Sequence, residues 1–267
     1  MRGLLESIDF HLHTNRSRCA DEELTLERVI REYERRGFRA IAITDHYYPD
    51  LGVEPFLKTR EELERIDTSL QVFLSAEIEL ADDRGTLECE HLEEMKEVLD
   101  FISAAPHCKH VLPRIPKGRD PIEYCHEMLV NAAKNPDIDL ILHPWDAPRE
   151  LLWSLEDLPE GYLREFAEAA AENGKCVEVS NCFSHLWVWR SEGLKESYGL
   201  LVKELLRARV KIVVGSDGHS LRGRYVEGYG MTPPTLCDTS WAVQLVKSCG
   251  GGDENVGYPR RGLQQGD

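Results

Sequence analysis

Eight cysteines are spread through 267 residues with no CxxC pair and no dense framework among them. In a chain this long, that pattern argues against a disulfide scaffold and favours a reducing, cytoplasmic setting. No stretch approaches the roughly 18 apolar residues of a membrane span. The opening Met1-Arg2-Gly3-Leu4-Leu5-Glu6 lacks the apolar core of a signal peptide. Basic residues are scarce, with 32 against 48 acidic ones and a net charge of −16. Such a surface repels polyanions outside a local basic patch or metal site, so binding of long nucleic acid is not expected. There is no GxxxxGK[ST] phosphate loop, which counts against nucleotide-driven phosphoryl transfer. There is no GxSxG elbow either, so a serine acyl-enzyme lacks its usual support. A Pro/Gly-rich linker is also missing from the middle of the chain, and residues 1–249 read as one domain. The Gly-rich end, 250–267, reads as a disordered or loosely attached tail.

What the chain does have is alternation. Apolar, β-branched runs fall at 7–11, 39–43, 71–76, 99–104, 138–142, 176–180 and 210–215. Helical patterns lie between them, near 25–36, 59–67, 88–98, 119–134, 160–173 and 195–208, with a last one at 239–248. The clearest has Leu26, Val29, Ile30 and Tyr33 at helical spacing and Gly37 as its stop. Seven strand-helix units predict a parallel α/β fold, closed or nearly closed into a barrel, with chemistry at the C-terminal ends of the strands.

Histidines and carboxylates collect at those ends. The first strand finishes in Asp9-Phe10-His11-Leu12-His13-Thr14, and strand alternation puts Asp9, His11 and His13 on one face. The later runs finish in Thr44-Asp45-His46, Glu77-Ile78-Glu79, Pro106-His107, His143-Pro144-Trp145 and Ser216-Asp217-Gly218-His219. Asp45 reads as a helix cap or as a group that orients a ligating imidazole. Of the two glutamates, Glu77 is preferred as a metal bridge because it is nearer the strand end. Imidazole with carboxylate suits zinc, iron(II) or manganese, and the supply exceeds one tetrahedral site. His91 and His126 read as surface residues on helices. His110 reads as a loop residue beyond His107. His185 lies in the loop after the sixth strand beside Phe183, Trp187 and Trp189, and reads as part of a packed lid or as a substrate contact.

This set of motifs resembles the PHP family, the polymerase and histidinol phosphatase domain. The resemblance rests on Asp9 to Thr14, Thr44-Asp45-His46, Glu77, His107, His143-Pro144 and Ser216-Asp217-Gly218-His219, in the family's order. It implies a distorted seven-stranded (β/α)7 barrel, TIM-like, with two or three divalent transition metals and phosphoester hydrolysis. It further implies that His11, His13, Glu77 and Asp217 hold one metal. Glu77 would bridge to a second, held also by His107 and His143, and His46 and His219 would serve a third. One position departs from the pattern. Many members carry a histidine eight residues beyond the first histidine of the HxH, and here that residue is Cys19, whose thiolate can also bind zinc or iron.

The expected reaction is hydrolysis of a small phosphomonoester, histidinol-phosphate-like or a nucleotide, by metal-bound hydroxide. Asp217, His219 and Glu77 would act at its centre. His219 or His46, if free of metal, would protonate the leaving oxygen. Arg222, Arg149, Arg224, Arg114 and Lys117 are candidate cations for the phosphate. Two other readings compete. An amidohydrolase also has an HxH after its first strand, but usually a bridging lysine or a strand-four glutamate and a lone aspartate on its last strand. The chain's Thr-Asp-His and Asp-x-His favour the phosphoesterase. A non-catalytic metal-binding accessory protein is the third reading, disfavoured by the nearly complete ligand set.

Overall fold

The computed structural model describes residues 2–184, 190–226 and 230–259. The first sheet is parallel, in the order β1 (Ile8–Leu12), β2 (Ala40–Ile43), β3 (Gln71–Leu74). The second is parallel too, in the order β4 (Glu77–Glu79), β5 (Ser103–Ala105), β6 (Leu140–Ile141), β7 (Cys176–Ser180), β8 (Lys211–Gly215). The strands β1, β2 and β7 are buried along their whole length, as parallel strands covered on both faces must be. Single bridges join the sheets at two places, His46 to Glu77 and Leu12 to Gly218.

The covering helices are α1 (Leu26–Arg35), α2 (Glu54–Leu63), α3 (Leu92–Val98), α4 (Cys108–Val111), α5 (Pro121–Lys134), α6 (Tyr162–Glu172), α7 (Glu192–Ser197) and α8 (Gly199–Arg207). After β8 come an antiparallel hairpin, β9 (Arg224–Val226) with β10 (Gly230–Thr232), and the last helix α9 (Ser240–Ser248). Helix α1 shows why the pattern was readable. The Thr25 side chain caps it by accepting from Arg28 N–H. Leu26, Val29, Ile30 and Tyr33 form its buried stripe, and Gly37 ends it at φ 75°.

The expected seven strands become eight in two sheets, besides the hairpin, among the described residues. The run at 71–76 is where the count changes. Ser75 N still donates to Ile43 O at 2.8 Å, but the Ser75 hydroxyl turns to Phe101 O and Ser103 Oγ, at 3.0 and 2.8 Å. The strand breaks there, and β4 starts afresh at Glu77 beside β5. The expected strand at 99–104 is likewise only 103–105. The expected helix at 195–208 divides at Tyr198, whose buried hydroxyl donates to Pro144 O at 2.8 Å. The helix expected near 59–67 starts earlier, with Pro55 in its first turn.

The loose tail expected from residue 250 also needs correction. Asp253 accepts from Leu5 N at 2.9 Å, Val256 bridges Ile212, and the Tyr258 ring lies 5.2 Å from that of Phe10. Val256 and Tyr258 bring apolar surface to the core, which holds this part of the chain in place. Residues 260–267 lie outside the described residues.

Candidate metal centre

Most of the strands of the two sheets deliver side chains to one buried cluster. His11 and His13 leave β1 with their Nε2 atoms 3.2 Å apart. Glu77, at the start of β4, stands between them and the far side of the site. Its Oε2 lies 3.4 Å from His11 Nε2, 3.5 Å from His13 Nε2 and 3.2 Å from His46 Nδ1. Its Oε1 lies 3.0 Å from His143 Nε2 and 3.6 Å from His107 Nε2. One carboxylate thus divides its oxygens between two groups of imidazoles. Asp217 Oδ1 completes the first group, 3.5 Å from His11 Nε2 and 3.3 Å from His13 Nε2. A third group consists of His13, His46 and His219, with Cys19 Sγ 3.1 Å from His219 Nε2.

The outer nitrogens of three of these rings are tied down. His11 Nδ1 faces both oxygens of Glu178 at 3.1 Å. His107 Nδ1 meets Glu79 Oε1 at 2.8 Å, and His219 Nδ1 meets the Asp217 carbonyl at 2.8 Å. A carboxylate or carbonyl can only accept, so each Nδ1 carries a hydrogen. In a neutral ring each Nε2 then turns a lone pair inward, toward Glu77 oxygens for His11 and His107 and toward Cys19 Sγ for His219. Acceptors converging on one another in a buried site call for cations between them, and the donor set therefore fits divalent metals.

Without metal, protonated imidazoles supply the balancing charge. Burial would raise Glu77, but the surrounding charge of His46 and His11 outweighs it and holds the carboxyl well below the usual range. Asp217 is depressed in the same way, by His219 and His11 against its burial. Burial opposes charge on His46, yet Glu77 and then Cys19 push it up to about 10. His219 rises to about 9, with Cys19 and Asp217 outweighing its burial.

Three groups escaped the sequence reading. Glu178 holds His11 and also accepts from His143 N at 2.8 Å. Its signal was present: a carboxylate in the middle of the buried run Cys-Val-Glu-Val-Ser. Asp146 lies 4.0 Å from His107 Nε2, and Arg190 grips it with two bonds of 2.7 and 2.8 Å. Arg190 is itself buried, and no local pattern in the sequence marks it.

Other expectations shift. Asp9 does not back the imidazoles, because the pairing of β1 with β2 slips between Asp9 and Leu12. Its carboxylate accepts instead from Tyr33 OH at 2.6 Å and Ser216 N at 2.9 Å. Asp45 reaches the site at one remove. It accepts from Ser17 OH at 2.7 Å, and Ser17 Oγ lies 3.1 Å from His13 Nδ1. His126 is not a surface residue, since its ring is buried and stacked 3.6 Å from Tyr162. Among the candidate cations, Arg114 pairs with Glu88 and Arg149 with its neighbour Glu150, both well exposed. Arg222 is exposed. The Arg224 side chain and His185 lie outside the described residues. Backbone strain marks two of the site's strand ends, His143 at φ 22° and Asp217 at φ 52°. Conformations of this kind cost about 1–3 kcal/mol each and persist only when their surroundings fix them.

Comparison with known proteins completes this description. The family model described as "PHP domain" matches residues 9–181. A protein named probable phosphatase from Acetivibrio thermocellus is 30% identical over 215 residues, covering 79% of each chain. Another of that name from Caldicellulosiruptor bescii is 29% identical over 90% of each. Among solved structures, the histidinol phosphate phosphatase of Lactococcus lactis, complexed with zinc, L-histidinol and phosphate, superposes with a TM-score of 0.57 at 14% identity. The match covers 95% of this chain and 99% of that one. A dihydropyrimidinase from Brevibacillus agri gives 0.54 at 12% identity, over 94% of this chain and 68% of that one. Two chemistries share this architecture, so fold alone does not choose between them. The family model covers most of the chain and the curated relatives are named as phosphatases: the chain is a phosphatase-type enzyme and belongs to the PHP domain family.

Proposed function

We propose that this enzyme hydrolyses a small phosphomonoester at a centre of two or three divalent metals. The observation that carries the reading is the division of Glu77, one oxygen toward His11, His13 and His46 and the other toward His107 and His143. His11, His13, Glu77 and Asp217 would hold one metal, and Glu77, His107 and His143 a second. His46, His219 and Cys19 would serve a third. The two parallel sheets are the arcs of one distorted barrel, because bridges link them at both Glu77 and Leu12. Residues 1–249 form its single domain, with 253–258 packed onto it. Among the described residues no helix is long and apolar enough to cross a membrane, and the unpaired cysteines favour a cytoplasmic site of action.

When bound, such ions neutralise phosphoryl oxygens and lower the pKa of a coordinated water from about 15.7 toward 7. The chain's own part is positioning. Glu178 and Glu79 fix His11 and His107 through their Nδ1 hydrogens. Ser17, itself bonded to Asp45, does the same for His13. Arg190 offers a buried guanidinium next to His107 by way of Asp146. Its charge is matched by Asp146, so its part is to hold that carboxylate beside His107.

The direct test is a screen of phosphomonoesters, histidinol phosphate and nucleotides included, with zinc, manganese or iron(II). Turnover should stop on chelation and return when metal is restored. A fully metallated sample that leaves every phosphoester intact but opens cyclic amides would replace this reading with the amidohydrolase one.

Metal loading carries a pH signature. His46 at about 10 and His219 at about 9 keep their protons at pH 7.5 in the metal-free chain. Metal ligands must give up those protons. Titrating zinc into the metal-free protein in weak buffer at pH 7.5 should therefore acidify the solution, by at least one proton per chain. Affinity should fall as pH is lowered. Uptake without proton release would remove these two residues from the ligand set.

A further inference from the structure

We propose that Cys19 makes the third metal position selective for thiophilic ions, zinc or cobalt(II) over manganese. The proposal rests on the metal-centre reading above and concerns only this chain's departure from an all-imidazole set.

Cys19 does not stand alone. His13, His46 and His219 bring nitrogens within metal-sharing distance of one another, and the thiol lies against the His219 ring of that group. The loop is pinned at both ends. Arg18 N donates to Tyr48 OH at 3.0 Å, and the Arg18 guanidinium lies 4.4 Å over the Tyr48 ring and pairs with Asp50. On the other side, Asp21 N donates to His219 O at 3.0 Å. The intervening turn is closed by Ala20 N donating to Ser17 O at 3.0 Å. Cys19 is therefore held between the strand ends of His46 and His219 rather than free in a surface loop. Its Sγ stands 3.1 Å from His219 Nε2. A four-coordinate zinc, with bonds of about 2.3 Å to sulfur and 2.0 Å to nitrogen, separates two such donors by roughly 3.5 Å. Small adjustments suffice to bring both onto one ion.

The chemistry follows from donor softness. Thiolate prefers zinc and other thiophilic ions, whereas manganese favours oxygen donors. The other two proposed positions consist of imidazole and carboxylate and accept either class. On binding, the metal–sulfur bond forms from the Cys19 thiolate as the proton shared with His219 is given up. The proton leaves to solvent and no electrons move. A centre loaded with manganese alone would then fill its Glu77-bridged positions and leave the third weakly held.

The test uses the full chain and needs no turnover. Metal-free wild type titrated with cobalt(II) should develop a sulfur-to-cobalt charge-transfer band in the near ultraviolet. Cys19→Ser and Cys19→His should both lack it. By elemental analysis after equilibration with equal zinc and manganese, Cys19→Ser should lose one zinc per chain. Cys19→His should keep the full metal complement, with its zinc preference at that position reduced at least tenfold. Zinc, but not manganese, should protect Cys19 from iodoacetamide, followed by peptide mass spectrometry. Identical cobalt spectra for wild type and Cys19→Ser, or equal protection by both metals, would overturn the proposal. Inactivity toward phosphoesters would leave these readouts unchanged, so the two readings fail separately.

Discussion

Glu77→Gln should abolish turnover, with a loss on the order of a thousandfold, and should lower metal content in the same sample. The amide keeps the size of the side chain but not its charge. Among the described residues, Glu77 is the one carboxylate whose two oxygens serve different imidazole groups, with His11, His13 and His46 on one side and His107 and His143 on the other. A neutral amide can accept through its oxygen alone, and its NH2 turns donors toward positions that require acceptors. Both metal positions would weaken together. Glu79→Gln makes the contrast. Glu79 meets His107 and His110 through Nδ1, at 2.8 and 3.1 Å, and touches the centre only through the ring it orients. Loss of an orienting partner typically costs about 10–100-fold in metal affinity or activity. Metal analysis of both variants beside steady-state rates decides the matter. A larger effect at Glu79 would make Glu79, not Glu77, the bridge.

The residues of the candidate metal centre could be picked out in the sequence because strand ends are local features. Each sits directly after an apolar run, and a run of four to six β-branched residues marks its own end. The same logic failed where a contact depends on what lies across the sheet. Whether 71–76 is one strand or two is settled by the Ser75 hydroxyl reaching Phe101 and Ser103, more than twenty residues away. Asp9 sits at the spacing that should have placed it behind His11, but a slip in the pairing of β1 with β2 turned it to Tyr33 and Ser216. Glu178 took that place from a strand 167 residues further on. The cations show a related limit. Arginines close in sequence to the histidines were expected to serve the site, yet Arg114 and Arg149 found nearby glutamates at the surface. The buried guanidinium is Arg190, brought in by Asp146. A charge buried far from its partner in sequence leaves no periodic trace.

Gly215→Ala should disable the centre without replacing any proposed ligand. Gly215 ends β8 between β1 and β7, where three backbones and two functional side chains meet. A Cβ built there would lie 2.1 Å from Glu178 Oε1 and 2.5 Å from His11 Cβ. Neither neighbour can yield freely. His11 is fixed in β1, and Glu178 spans His11 Nδ1 and His143 N, so any retreat of its carboxylate releases two residues of the site at once. One methyl group thus acts on both sides of Glu77. Overpacking of this kind typically costs about 1–3 kcal/mol of stability. That corresponds to a fall in melting temperature of roughly 2–4 °C per kcal/mol for a chain approaching this size. The functional loss should be larger, at least the 10–100-fold that follows removal of a ligand's orienting partner. Glu178→Ala separates the two effects. It deletes the carboxylate that the new methyl strikes, so adding Gly215→Ala to it should cost far less metal affinity than Gly215→Ala costs alone. Calorimetric zinc titrations and thermal melts of the two single variants and the double variant measure this directly. A Gly215→Ala protein that melts lower but binds zinc like wild type would show that Glu178 packs beside His11 without orienting it.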